Sequence, residues 1–198
     1  ETAMKKITDW NREAPFPALS GFEGVLLQST RLIDGPDPSL LRIAEGLFQL
    51  EACGSVNAFL IEGSADLTLV DTGHSRGAAS LLAEFKANGF QTKDIGRVVL
   101  THAHADHVGG LAAILAEHPV KVYAHPKEIP ILLGKRPPAP FRGLSGFLRT
   151  AYERRFWPWE PLDTVFPAEA GASIRGIPQW QVLHTPGHTE GGLSLFHP

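Results

Sequence analysis

Residues 97–111 read RVVLTHAHADHVGGL: a short apolar run, then three histidines and one aspartate within six positions, then a Gly-Gly pair. No other stretch restricts the fold as tightly. A mostly apolar run of this length suits a strand buried on both faces, and such strands lie in sheets that are covered on either side. Immediately behind it stand side chains that need water or an ion. In an extended segment alternate side chains share a side, so His102 and His104 converge on one ion. Asp106 continues the alternation, while His107 turns away as the chain enters a helix. One segment therefore addresses two neighbouring ions: His102 and His104 the first, Asp106 and His107 the second. Gly109 and Gly110 leave room for close backbone approach. Isolated histidines are mostly incidental polar groups, but four ligand-type residues in a row of six behind a buried strand are not. Imidazole with carboxylate suits zinc best, with iron, manganese or nickel chemically compatible. A third ligand for the first ion must come from elsewhere. His188 is the best candidate, in the Pro-Gly turn of HTPGHTEGG; His74, His118, His125 and His184 read as surface or supporting groups.

The flanking sequence supplies strands and helices in alternation. LFQLEA (47–52), VNAFLIEG (56–63) and DLTLVD (66–71) read as strands, with Gly63 and Ser64 marking a hairpin. SRGAASLLAEFKANG (75–89) places Ala78, Leu81, Leu82 and Phe85 on one helical face and ends at Gly89, a good residue just past a helix end. A helix is predicted from Asp106 to Glu117 and a strand at VKVYAH (120–125). QWQVLHT (179–185) and GLSLF (192–196) read as strands around the loop PGHTEG. This order predicts an α/β class of layered sheets with helices packed outside. Pro15, Pro17, Pro36 and Pro38 surround GVLLQSTRLI in an irregular lead-in. The lone Met4 precedes two lysines and reads as the start, which makes residues 1–3 a cloning remnant and 4–198 one domain. A chain of 198 residues accommodates one such core.

Residues 134–170 stand apart as an aromatic-rich helical insertion. Leu144, Phe147, Leu148, Ala151, Tyr152 and Phe156 follow the spacing of an amphipathic helix, with Arg149, Glu153, Arg154 and Arg155 facing elsewhere. Three readings stay open here: a helix packed on the core, a lid or substrate-facing arm bearing Phe147 and Tyr152, and a homodimer contact. The net charge of −3 gives no electrostatic reason for a nucleic-acid partner. The single Cys53 rules out an internal disulfide and reads as a small buried apolar group. No apolar run approaches the roughly 20 residues that span a bilayer, and the polar residues behind Lys5 and Lys6 leave no signal core. The expectation is a cytoplasmic protein acting on a small molecule, without a membrane.

THAHADHVGGL resembles the H-x-H-x-D-H signature of the metallo-β-lactamase superfamily, with LTLVDTG similar to its upstream strand ending in Asp and TPGHTEGG to its next histidine motif. The likeness covers residues 47–196 and is nearest in tone to the glyoxalase II-like and lactonase-like hydrolases. It implies an αβ/βα four-layer sandwich, His102, His104 and His188 on one metal, and Asp106 and His107 on a second. It also implies Asp71 beside the site, orienting ligands. Two zinc ions would make this a hydrolase in which activated water attacks a carbonyl in a thioester, lactone or other ester, with Asp106 holding the second metal and orienting the nucleophile. Members of the family also supply an Asp bridging both metals and a later His beyond the position of His188, which this sequence does not contain. The expectation is therefore an incomplete domain, and a catalytically incompetent fragment is one alternative reading. The other is a mononuclear iron oxidoreductase of the sulfur dioxygenase kind, which shares the same histidine run.

Overall fold

Four consecutive residues, Ala58 to Ile61, are all buried, and they alternate between two cores. Ala58 and Leu60 enter the core shared with Leu81, Phe85, Leu111 and Ile114, whereas Phe59 and Ile61 enter the one shared with Trp180, Val182, Leu193 and Leu195. The period-two geometry of a strand therefore sets a central sheet with helices on one face and a second sheet on the other. The structure, a computed structural model, describes residues 25–27, 41–51, 53, 56–138 and 143–198; the side chains of 25–27, 143–147 and 154 lie outside that description. The readings of residues 1–3, of Met4 and of the four early prolines also lie outside it.

The central sheet has seven strands in sequence order: β2 (Leu41–Ala44), β3 (Leu47–Leu50), β4 (Ala58–Glu62), β5 (Leu67–Val70), β6 (Ile95–Val99), β7 (Lys121–Ala124) and β8 (Phe166–Pro167). β2 to β5 run antiparallel and β5 to β8 parallel. The hairpin expected at Gly63 and Ser64 joins β4 to β5, closed by the Gly63 amide donating to the Asp66 carbonyl at 2.9 Å. β6 is the strand read from RVVLT, with Val98 and Val99 both inaccessible to solvent in opposite cores. The second sheet is antiparallel, ordered β1 (Val25–Leu27), β11 (Leu193–His197), β10 (Ile177–His184), β9 (Ser173–Ile174). The described elements thus form three layers, helices on sheet on sheet.

The helices follow their sequence signals with two corrections. α1 (Ala78–Ala87) buries Ala78, Leu81 and Phe85 as predicted and gives way to Gly89 at φ 81°, a conformation open to glycine at little cost. The helix expected from Asp106 to Glu117 is two helices, α2 (Ala105–Val108) and α3 (Leu111–Glu117). The break falls at Gly109 and Gly110 because both backbones press against the loop after β5. A Cβ on Gly110 would lie 2.1 Å from the Thr72 carbonyl oxygen, and one on Gly109 2.3 Å from the Ser75 nitrogen.

The second correction concerns the insertion, where α4 (Ile129–Leu132) is followed by α5 (Gly143–Phe156). Of the three readings, packing of the whole apolar face on the core does not hold: Leu148 is 60% and Tyr152 47% exposed and Phe156 half-buried, while Glu153 is only 7% exposed. Glu153 turns inward to the partners described with the site, whereas Arg149 and Arg155 of the same face remain exposed. Leu144 and Phe147 belong to the side chains outside the description. Cys53 is buried and free, as expected of a small apolar group. Among the described residues no helix is long and apolar enough to cross a membrane.

Candidate metal centre

Parallel β5 and β6 end side by side, and the ends of parallel strands are where open α/β sheets place their ligands. Asp71 follows β5 directly, at φ 59°, which is uncommon outside glycine. Its amide donates to the Val99 carbonyl (2.9 Å), so the turn is pinned to the neighbouring strand. The carboxylate then organises the loop after β6. Oδ1 accepts from the Thr101 amide (2.8 Å), and Oδ2 accepts from both the Thr101 hydroxyl (2.7 Å) and His107 Nδ1 (2.7 Å). A carboxylate only accepts, so the Thr101 proton is committed to Asp71 and its lone pair is left for His102 Nδ1, 3.0 Å away. His102 and His107 thereby both carry a proton on Nδ1, and Nε2 of each is turned to the site. One buried carboxylate fixes the ring orientation of two histidines, directly in one case and through a hydroxyl in the other.

His104 follows His102 on the same side, and the β10–β11 loop brings His188 across from the second sheet. Nδ1 of His104 and Nε2 of His188 are 3.0 Å apart. The ring centroids of His102, His104 and His188 lie 4.7 to 4.9 Å apart, each pair edge to face. One ligand atom from each of the three lies within 4.8 Å of the others. The burial of His102 and His104 is nearly complete, while His188 faces solvent. Beside this triad, His107 Nε2 is 3.8 Å from Asp106 Oδ1.

Two atoms here test whether a metal fits. His102 Nε2 and Asp106 Oδ1 are buried without a hydrogen-bond partner, and an unsatisfied buried polar atom costs about 1–3 kcal/mol. Both have lone pairs to offer, the first within the histidine triad and the second 3.8 Å from His107 Nε2. Burial holds His102 well below the usual histidine range, assisted by the neighbouring His107, His104 and His188 rings; burial and then His188 push His104 down to about 4. Burial likewise lowers His188. Neutral imidazole is the form that binds a metal. His107 is the exception: burial opposes its charge, but the Asp71 carboxylate prevails and raises it.

Four residues that sequence reasoning missed complete the surroundings. Thr101 is one. Glu128, 1% exposed, accepts from the Ala103 amide (3.0 Å) with Oε2 and from the Gly191 amide (2.8 Å) with Oε1. It joins the loop carrying His102 and His104 to the loop carrying His188. The other two are Arg149 and Glu153 of α5. Arg149 Nη2 donates to Asp106 Oδ2 (3.2 Å) and its Nε to Glu153 Oε1 (2.8 Å). The two oxygens of Asp106 are thus divided, Oδ2 held by Arg149 and Oδ1 turned to the site.

The remaining histidines lie off the triad. His125 and His184 stack on each other at 4.1 Å. His74 accepts from the Gly77 amide and stacks on Trp157 at 4.9 Å, and the amide of His118 closes α3 on Ile114. Tyr152 packs on the rings of Phe156 and Trp157 at the surface. It does not line the cavity of about 450 Å³ that opens beside His104, which Glu153, Trp157 and Trp159 do line.

Comparison with known proteins agrees with this geometry. Residues 52–198 match the family model described as the metallo-beta-lactamase superfamily. A probable metallo-hydrolase of Bacillus subtilis, YflN, is 35% identical over 136 residues, covering 65% of this chain and 50% of the relative. A type 2 metallo-beta-lactamase of a Bacillus species is 30% identical over 141 residues, covering 70% and 52%. Among solved structures, a Cronobacter sakazakii metallo-beta-lactamase with a HARLDQ motif superposes with a TM-score of 0.62 at 21% identity, over 79% of this chain and 58% of that one. That likeness shows the fold alone. The chain spans about half the length of the curated relatives it matches.

Proposed function

Because the chain belongs to the metallo-beta-lactamase superfamily, we propose that its protein is a metal-dependent hydrolase acting on the carbonyl of a thioester, lactone or other ester. The observation that carries this reading is the convergence of His102, His104 and His188 around the unpartnered Nε2 of His102. These three would hold a first ion, and Asp106 with His107 would contribute to a second. Zinc suits this donor set best, with iron and manganese compatible. Bound there, the ions supply Lewis acidity and ease the deprotonation of water near neutral pH.

The chain's own groups divide the remaining work. Asp71 and Thr101 keep the Nδ1 protons of His102 and His107 away from the site, so that the rings present lone pairs inward. Arg149 holds Oδ2 of Asp106, which leaves Oδ1 to accept a hydrogen bond from the attacking water and fix its approach. Glu128 keeps the His188 loop at its distance from the His102–His104 segment. No serine or cysteine nucleophile is required.

The test is metal content and hydrolysis on the same preparation. Protein purified without chelators is measured by elemental mass spectrometry, then assayed on p-nitrophenyl and thiophenyl esters before and after dialysis against EDTA. Hydrolysis that disappears with the metal and returns with zinc supports the reading. A full metal complement with no turnover of these esters, nor of a γ-lactone assayed beside them, removes it, and a single iron would redirect the search to oxidation chemistry.

A further inference from the structure

Beside His104 the fold leaves a cavity of about 450 Å³. We propose that it is the acyl subsite, taking the uncharged, apolar part of a carbonyl substrate whose scissile bond lies at the histidine cluster. The proposal rests on the hydrolase reading and names its substrate class.

Besides His104, Thr150 and two charged residues, the walls are apolar, and most of them come from two segments. One is Ile131 of α4 with Pro137 and Pro138 after it; the other is Trp157, Trp159 and Pro161, which follow α5. The two segments are tied together. The Leu162 amide donates to the Leu132 carbonyl at 2.8 Å, and a Cβ on Gly134 would meet Pro161 at 2.8 Å. Trp157 is held flat against His74. Walls of proline, tryptophan and close backbone contact do not have to be organised when a ligand arrives, and binding sites for small molecules are mostly preformed in this way.

Charge then narrows the ligand. Arg136 and Glu153 are the charged residues of the lining, and both are engaged within the protein. Arg136 donates to the Lys127 carbonyl (3.3 Å) and lies 3.7 Å from Glu190, while Glu153 accepts from Arg149 at 2.8 Å. Glu153 is buried and matched by Arg149, and Arg136 is half exposed, so the described lining offers a ligand no buried unmatched charge. An uncharged alkyl or aryl group displaces only water, and the volume sits in the lower half of the range found for small-molecule sites, roughly 300–1,000 Å³. A medium acyl chain or a single aryl ring fits.

The experiment uses the whole chain with its metal. Straight-chain methyl ketones from acetone to 2-decanone, neutral and without a hydrolysable bond, are titrated while tryptophan emission is followed. The matching p-nitrophenyl esters are assayed for hydrolysis in parallel. Affinity for the ketones should rise roughly fourfold per added methylene and level off once the cavity is full. Thr150→Phe, which fills space from the lining, should make it level off at a shorter chain; Leu148→Ser, on the exposed side of α5, should leave the series unchanged. If Thr150→Phe fails to fold, Pro138→Trp narrows the same space from the other wall. A ketone series without chain-length dependence overturns the proposal, and so does an unmoved levelling point in a natively folded filling variant. Graded ketone binding with no ester hydrolysis would remove the hydrolase reading and leave the pocket standing. Ester hydrolysis with a flat ketone series would do the reverse.

Discussion

Glu128 joins the two loops that carry the histidine triad, and its removal has a calculable effect. The side chain is 1% exposed and accepts from two buried backbone amides, Ala103 and Gly191. Hydrogen bonds to a charged acceptor contribute about 1.5–3 kcal/mol each. Glu128→Ala should therefore cost about 3–6 kcal/mol, a large part of the roughly 5–15 kcal/mol that stabilises a domain. Glu128→Gln keeps one acceptor oxygen but points an NH2 group at the other amide, and should cost about half as much. Urea denaturation of the metal-free protein measures both, as a lower midpoint with an unchanged slope. The second readout is affinity for Co(II), followed by its absorption spectrum. With the His188 loop no longer tied to Ala103, Glu128→Gln should bind cobalt roughly 10–100-fold more weakly, as is usual when a group behind a ligand is lost. Unchanged stability would mean that the two bonds contribute nothing net. Reduced stability with full cobalt affinity would mean that strands β10 and β11 alone position His188.

Other perturbations probe the rest of the arrangement. Asp71→Asn should weaken cobalt binding by about 10–100-fold, since an amide keeps one acceptor oxygen and turns an NH2 either to the Thr101 amide or to the Thr101 hydroxyl and His107; chelator competition measures it, and full affinity would show that the rings orient themselves. Gly110→Ala should destabilise by about 1–3 kcal/mol or more, because its Cβ would lie 2.1 Å from a backbone oxygen that cannot move freely; an unaltered melting curve would refute the close approach. Burial pushes the Cys53 thiol up to about 12, so at pH 8 it should resist iodoacetamide in the native protein and react once urea unfolds it. In the metal-free protein His104 has a folded pKa near 4 against 6.5 unfolded. The unfolded chain binds that proton first, so this contribution is complete above pH 6.5 and is lost as pH falls towards 4; a melting temperature that rises over that window would contradict it.

The order of strands and helices was legible because it follows from short-range chemistry. Alternating or continuous apolar runs predicted β4, β5, β6, β10 and β11, and the spacing of Leu81 and Phe85 predicted α1. The convergence of His102 and His104 was legible for the same reason: they are neighbours in sequence, and the alternation of an extended segment needs no tertiary information. What the sequence could not display were groups that act across long separations. Glu128 carries no spacing signal, and its two partners are 25 and 63 residues away. Amphipathic spacing left the orientation of the insertion helix open, because it assumes that the polar face seeks water. Arg149 and Glu153 instead find partners in a buried carboxylate and in each other, 43 residues and one helical turn away, while Leu148 and Tyr152 stay exposed. The break between α2 and α3 was half legible, since the glycines were read as a close approach but not as the end of a helix.

His104 and His188 are separated by 84 residues and belong to different sheets. An ion held between them would close that long loop as a disulfide does, and the chain entropy removed from the unfolded state grows slowly with loop length. Occupancy and folding are then thermodynamically linked: each tenfold excess of free metal over its dissociation constant adds about 1.4 kcal/mol to the docking of one sheet on the other. Metal supply would then be read out as resistance to unfolding, in a midpoint that climbs with free metal concentration.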